Sequence, residues 1–311
     1  MDKRNMQLII YGAGDRGKGI YNYLEKKGLQ NIIKGFCDKH AEEIKYINEK
    51  KVYCLEEAAL FNCPFIISQV EKEVVDDIKK ELSENGCKYV LTDQLSEYTG
   101  EDKAAFNHNF TVFFHENGMD KYFQQAEEGL DVFWGKDSKF NVMFQKLDLS
   151  KVMEFACGRG RHVEKYVNNA NEITLVDVLP KNIEICKERY RGNEKITYYC
   201  NNGKDLSELN DNEYSSIFTY DSMVHFELID IANYLKEFYR VLQPNGYALV
   251  HHSNNDSDYK YSFTNAPYGR SFMNRNIFAN LAYRAGFTIV HQETLDWGIP
   301  NLDCLTLLKK E

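Results

Sequence analysis

Twice along this chain a short apolar run stops at a glycine-punctuated turn, a helical stretch follows, and the next apolar run ends on an aspartate. The first instance is residues 7–11 (QLIIY), then Gly12-Ala13-Gly14-Asp15-Arg16-Gly17, a helical pattern over 18–27, and a strand over 32–37 that stops at Asp38. The second is residues 151–155 (KVMEF), then Ala156-Cys157-Gly158-Arg159-Gly160, with the next strand over 173–176 stopping at Asp177. Strand, turn, helix and strand in this order predict parallel strands joined by crossover helices, so the chain is expected to be α/β with two such sheets. Small residues at the turns let backbone approach a ligand where a Cβ would clash. In open α/β sheets that ligand lies beyond the carboxyl ends of the strands.

The first alternation continues through strands over 65–68 and 89–91 and closes near Ser96. The polar stretch 96–109, which contains Gly100, is read as a junction, dividing the chain into domains 1–98 and 99–311. Helical patterns over 119–128 and 142–147 precede the second sheet as lid helices. Seven strands are then expected, over 151–155, 173–176, 196–200, 216–220, 247–250, 287–291 and 304–308. Before the fifth, Leu228, Ile231, Leu235, Phe238, Val241 and Leu242 recur at helical spacing.

Composition excludes more than it identifies. Forty-seven acids against thirty-eight bases give a formal charge of −9, which repels a polyanion on average, and no long Lys/Arg run offsets it. Nucleic acid is therefore not an expected partner. No stretch approaches the roughly 20 apolar residues of a membrane span, and the charged start lacks the apolar core of a signal peptide. The eight cysteines form no Cys-x-x-Cys pair, so no metal site is expected and reduced thiols in a cytoplasmic protein are the plain reading.

In the second half, Glu154 opens an E-x-A-x-G-x-G pattern, Asn202-Gly203 follows the third strand, Asp221-Ser222-Met223-Val224-His225 the fourth, and His251-His252-Ser253-Asn254 the fifth. Taken singly, Asp177 reads equally as a helix cap, Asn202 as a turn residue and His225 as a helix-start residue. Alternation along a strand sends His251 and His252 to opposite faces, so one of them is structural. Arg159, Arg161 and His162 face solvent or bind a substrate phosphate.

Taken together, and with the R-V-L-x-P-x-G segment (Arg240 to Gly246), residues 152–254 resemble the class I methyltransferases that use S-adenosylmethionine (AdoMet). The resemblance implies a seven-stranded class I sheet in a Rossmann-like domain. It implies AdoMet as cofactor, held by Glu154, Ala156, Gly158, Gly160, Asp177, Asn202, Gly203 and Tyr220. The Asp-Ser-x-Val-His and His-His-Ser-Asn segments, with Met273-Asn274-Arg275, resemble small-molecule and sugar O-methyltransferases. They imply a small acceptor, such as a nucleotide-linked sugar, with His225 or His252 as general base and Asp221 orienting it or the substrate. Two alternatives stand beside this: a nucleotide-binding or scaffold protein with an inactive methyltransferase domain, and methylation of nitrogen on a small molecule. The Asn/Asp-Pro-Pro-Tyr signature of many amino-group methyltransferases is absent at residues 220–223.

The N-terminal start (IIYGAGDRG) and the G-F-C-D strand resemble the nucleotide-binding, Rossmann-like domains of bacterial sugar acetyltransferases and nucleotide-sugar dehydratases. Gly12, Gly14, Arg16, Gly17 and Asp38 are the implied nucleotide site. Three uses compete: holding a nucleotide-linked sugar, binding NAD, or serving as a scaffold or homodimerisation module. No Tyr-x-x-x-Lys dyad accompanies the domain.

Overall fold

The protein was analysed as a computed structural model, which describes residues 6–117 and 120–311. Met119, where a helix was expected to begin, and the first five residues of the opening stretch lie outside the described residues. The rest falls into two compact units. One is the chain before Asp120 together with Tyr261–Gly269, and the other is Asp120–Lys260 with Arg270–Glu311. The first unit thus runs past the junction expected at residues 98–99. The stretch between is helical (Ser96–Thr99 and Lys103–Asn117), and Phe106 and Phe110 are fully buried against Tyr23 in that unit's core. Polar residues on the exposed face of these helices gave the segment its linker-like composition.

The first sheet has the order β3-β4-β2-β1-β5-β6, built from β1 (Leu8–Tyr11), β2 (Ile33–Cys37), β3 (Tyr46–Ile47), β4 (Lys50–Tyr53), β5 (Phe65–Ile67) and β6 (Tyr89–Leu91). All neighbours pair in parallel except β3 and β4, a hairpin. That hairpin escaped the sequence reading. Its two turn residues, Asn48 and Glu49, both have positive φ (44° and 64°), the turn geometry that Asn-Gly normally signals. With glutamate in the second place the signal is lost. Leu8 and Ile10 bury one face of β1 with Ile20 and Leu24 of the helix Asp15–Lys26, and Ile9 buries the other with Ile78 and Leu82.

The second sheet has the order β12-β13-β11-β10-β7-β8-β9. Its members are β7 (Lys151–Phe155), β8 (Glu172–Asp177), β9 (Ile196–Cys200), β10 (Tyr214–Thr219), β11 (Leu242–Ser253), β12 (Phe287–Trp297) and β13 (Ile299–Lys310). Strands β7 to β11 are parallel, and β13 runs antiparallel between β11 and β12. The last two strands are longer than expected because they form one continuous hairpin. Tyr214 pairs with Leu242 and Ser216 with Tyr247, so residues 243–246, just before the strand expected over 247–250, form a bulge inside β11, with Asn245 at φ 67°. The helix Leu228–Val241 buries Ile231, Tyr234, Leu235, Phe238 and Val241 on one face, whereas Leu228 at its start is exposed. Both faces of the sheet are covered, which is why β10 is buried along its whole length. Among the described residues no helix is long and apolar enough to cross a membrane.

Gly17 shows what the first glycine turn requires. A Cβ there would lie 2.0 Å from the Gly12 carbonyl oxygen, a backbone atom that cannot swing aside. Gly17→Ala should therefore destabilise the N-terminal unit by roughly 3 kcal/mol or more. Thermal melting of the variant checks this, and an unchanged midpoint would show that the turn is looser than described.

Candidate active site

The carboxyl ends of β9, β8, β7 and β10 lie side by side, and their loops are tied together by short polar contacts. The Gly158 amide donates to Asp177 Oδ2 at 2.8 Å, and the Asn201 amide donates to the Asp177 carbonyl at 3.1 Å. The segments at 154–160, 177 and 201 are thus neighbours. The turn after β7 is left-handed at Ala156 (φ 54°), Gly158 (56°) and Gly160 (73°). A Cβ costs about 1–2 kcal/mol in that conformation, so Ala156 carries the strain that a glycine at the first position of the pattern would have avoided. At Gly160 an added Cβ would meet Tyr190 at 3.0 Å and Cys186 Sγ at 3.1 Å, so this glycine serves helix packing.

Glu154 is wholly buried. Its Oε2 accepts from the Tyr166 hydroxyl at 2.7 Å, while Oε1 has no partner among the described residues. Burial pushes its carboxyl up to about 8, against the pull of the Tyr166 hydrogen bond and of Arg161 and Arg189. Asp177 is also raised by burial, to about 6, though its Oδ1 accepts from the Leu179 amide (2.9 Å) and Asn182 Nδ2 (3.1 Å). Asn202, expected to hold a ligand, spends its side chain on its own turn, with Oδ1 accepting from the amides of Lys204 and Asp205. The buried amide at this strand end is Asn201, which donates to the Tyr234 hydroxyl at 2.8 Å.

Beyond β10 lies a second cluster. Asp221 sits at φ 55° with its backbone N–H donated to His251 Nδ1 at 3.0 Å. Its carboxylate accepts from the Tyr122 hydroxyl, from Arg161 Nη2 at 3.3 Å and from Arg270 Nη2 at 3.4 Å. Arg270 also clasps Asp303 through Nε (3.1 Å) and Nη2 (2.8 Å). All four charged side chains are nearly inaccessible. Burial alone would raise Asp221, but Arg270 and Arg161 outweigh it and hold its carboxyl below the usual range. Tyr122 comes from the helix Asp120–Glu128, whose Phe123 ring would be met at 3.1 Å by a Cβ on Gly158. Phe123 also lies under the Arg159 guanidinium at 4.2 Å, and Glu127 pairs with Arg189 at 2.6 Å.

Residues 153–250 match a family model described as a methyltransferase domain. Over this stretch the chain is similar to methyltransferase domains, and that similarity supports AdoMet as its cofactor. Similar solved structures include an AdoMet-dependent methyltransferase from Methanosarcina mazei (13% identity, 54% of this chain and 96% of that one, TM-score 0.46). Another is an AdoMet-dependent methyltransferase from Mesorhizobium loti (12%, 55% and 97%, 0.46). A third is a putative sarcosine dimethylglycine methyltransferase from Galdieria sulphuraria (14%, 60% and 86%, 0.47).

The methyltransferase domain offers AdoMet one specific complement. The orphaned Glu154 oxygen beside a left-handed turn fits the ammonium of the cofactor's amino-acid end. Two expected site residues have other employment. Tyr220 is packed among Phe133, Phe140 and the stacked ring of His251 (4.6 Å between centroids). His252 lies on the opposite face of β11 from His251. It stacks on Phe278 at 3.7 Å, and its ring nitrogens contact the Ser253 carbonyl and Thr306 Oγ1, each at 2.8 Å. Burial lowers its pKa to about 3. The general-base expectation for His252 therefore gives way, because pleat parity sends His251 to Asp221. His225 ends a buried turn, Met223–His225, four residues after Asp221, and its carbonyl accepts from Ser271 Oγ at 3.0 Å.

In the N-terminal unit, Asp38 closes the glycine turn in the same manner. Its Oδ2 accepts from the Ala13 amide at 2.8 Å and its Oδ1 from the His40 amide at 2.9 Å. Gly12 (φ 105°) backs onto Ser68, and Gly14 has open space where a Cβ would go. Arg16, expected in the nucleotide site, is committed within its own unit. Its Nη2 donates to the carbonyls of Thr264 (2.6 Å) and Phe263 (3.3 Å), and its guanidinium lies beside the Phe114 and Phe263 rings.

Glu154 generates a titration test. With its carboxyl at about 8, it keeps its proton at pH 7 in the free protein, and an ammonium beside Oε1 favours the carboxylate. Binding of S-adenosylhomocysteine at pH 7 should then release up to about one proton, measurable by calorimetry in buffers of different ionisation enthalpy. Glu154→Gln should abolish that release. In the free protein the same raised value stabilises the fold below the ordinary 4.5, and the contribution is lost as pH climbs through 8. Proton release unaltered by Glu154→Gln would remove Glu154 from the cofactor site.

Proposed function

We propose that the C-terminal unit methylates a hydroxyl oxygen of a small polar acceptor, a sugar, nucleotide sugar or related metabolite. The observation that carries this reading is Asp221. It is a buried carboxylate at the end of β10, the strand beside β7 and its turn, held charged and in one conformation by Arg270, Arg161 and Tyr122. An ionised carboxylate can only accept hydrogen bonds, so it suits the orientation of a hydroxyl donor. AdoMet, when bound, supplies the activated methyl group.

A hydroxyl must also lose its proton as it attacks. Asp221 is a poor base because its carboxyl lies below the usual range. His251 has Nδ1 occupied by the Asp221 amide, and His252 is enclosed by its own sheet. We assign the base to His225, at the end of the buried turn Met223–His225 that follows Asp221.

Transfer of labelled methyl from AdoMet to a panel of free sugars, nucleoside-diphosphate sugars and primary amines tests the acceptor class. Hydroxyl acceptors should be labelled, and labelling of amines alone would overturn the assignment to oxygen. With an acceptor in hand, His225→Asn should lower kcat by roughly 10²–10⁴-fold. Asp221→Asn should mainly raise KM, and His252→Gln should retain turnover once its fold is verified. Undiminished kcat in His225→Asn would remove that histidine from the mechanism.

A further inference from the structure

One residue that holds Asp221 belongs to none of the motifs that drew attention to this edge of the sheet. Arg270 is buried, with 4% of its side chain exposed, and follows directly on the segment Tyr261–Gly269. Its fork engages both oxygens of Asp303, itself wholly buried on β13, and the same Nη2 reaches Asp221. Bidentate guanidinium–carboxylate pairs combine strength with fixed orientation. The guanidinium also lies 4.7 Å over the Trp297 ring, which stacks on the parallel ring of Phe133, 5.8 Å away. Arg270 is thus held on three sides.

Stability does not account for this arrangement. Burying ions carries a desolvation cost that apolar residues of similar volume avoid, and replacing such pairs by hydrophobic ones is often neutral or stabilising. Asp221 adds a left-handed backbone, at φ 55°, which is unfavourable for a residue with a Cβ. Strain and buried charge accumulate where the surrounding structure over-determines a geometry that function uses.

We propose that Arg270, anchored by Asp303, is a positioning residue that holds the Asp221 carboxylate in place for the acceptor, an inference that rests on the methyl-transfer reading above. The other groups facing Asp221 are Arg161 from the turn after β7, Tyr122 from the helix Asp120–Glu128, and His251 from β11, with Tyr220 and Asp303 behind them. His251 Nε2 also lies 3.2 Å from Asp303 Oδ2, so His251 and Arg270 hold Asp303 together, and Arg270 is the group that links Asp303 to the Asp221 carboxylate. Arg161 and Arg270 each reach Asp221 through Nη2, and Arg270 also couples Asp221 to β13 through Asp303.

The test uses the full chain in two variants. Arg270→Met combined with Asp303→Leu removes the pair without leaving an unpaired buried charge, so folding should survive; Arg270→Lys keeps the charge and loses the fork. The readout free of any ligand is the titration of Asp221 followed by carbon-13 NMR of its carboxyl. In the double variant its midpoint should rise by about one pH unit or more. The acid limb of kcat/KM should then shift to higher pH by the same amount, because Asp221 must be ionised to work. Affinity for S-adenosylhomocysteine should stay within about threefold of wild type, and kcat/KM for the acceptor should fall roughly 10–100-fold. Arg270→Lys should leave the acid limb near its wild-type position yet still lose rate. Wild-type titration of Asp221 in the folded double variant, or full rate in Arg270→Lys, overturns the proposal. A shifted Asp221 in a protein whose wild type methylates no acceptor overturns the methyl-transfer reading and leaves the restraint by Arg270 established.

Discussion

The hydrogen bond from the Gly158 amide to the Asp177 carboxylate is the contact on which the rest of the C-terminal site depends. In a turn that reverses through left-handed residues some amides still reach a neighbouring strand, as Cys157 does at the Val176 carbonyl (2.9 Å), but the next one needs another acceptor, and a buried amide without a partner costs roughly 1–3 kcal/mol. The acid at the end of β8 supplies that partner from the adjacent strand, so the turn's shape and the acid's position are fixed by one contact. The N-terminal unit solves the same problem identically, with Asp38 at the end of β2 accepting from the Ala13 amide. In both units the aspartate is a conformational tie before it is anything else. Whatever ligand the C-terminal edge receives meets a backbone that is already arranged.

This explains which parts of the molecule could be read directly from sequence. Strand, glycine turn and terminal aspartate are encoded within about 40 residues, and local chemistry alone demands them, so both sheets were legible, as were the segments lining the C-terminal edge. Beyond that reach the sequence became ambiguous by single positions. Alternation along β11 said that only one of His251 and His252 faces the site; which one does depends on the pairing of β11 with β13, where His251 lies opposite Leu305 and His252 opposite Cys304. Asn201 and Asn202 differ in the same way, one turned inward to Tyr234 and the other outward into its own loop. Arg270 and Asp303 carried no local signal. They lie 33 residues apart, and only the insertion of β13 between β11 and β12 brings them together. Arg16 failed in the opposite sense. A motif placed it in a nucleotide site, but the carbonyls of Phe263 and Thr264 in its own unit take up its guanidinium.

The cluster around Asp221 also limits how the site can work on an acceptor. Arg161 and Arg270 are balanced by Asp221 and Asp303, so the four buried charges cancel. An edge of this kind exerts little net field at a distance and would not draw in a strongly charged molecule by steering. What it provides is orientation, because each carboxylate oxygen of Asp221 is already engaged and moves only if a guanidinium or a phenol moves with it. Oriented groups in a dry site need little rearrangement when charge develops nearby, and that saving is where such sites lower barriers. A neutral, hydroxyl-bearing acceptor uses this arrangement fully. A dianionic group placed against Asp221 would have to break the pairs that hold it.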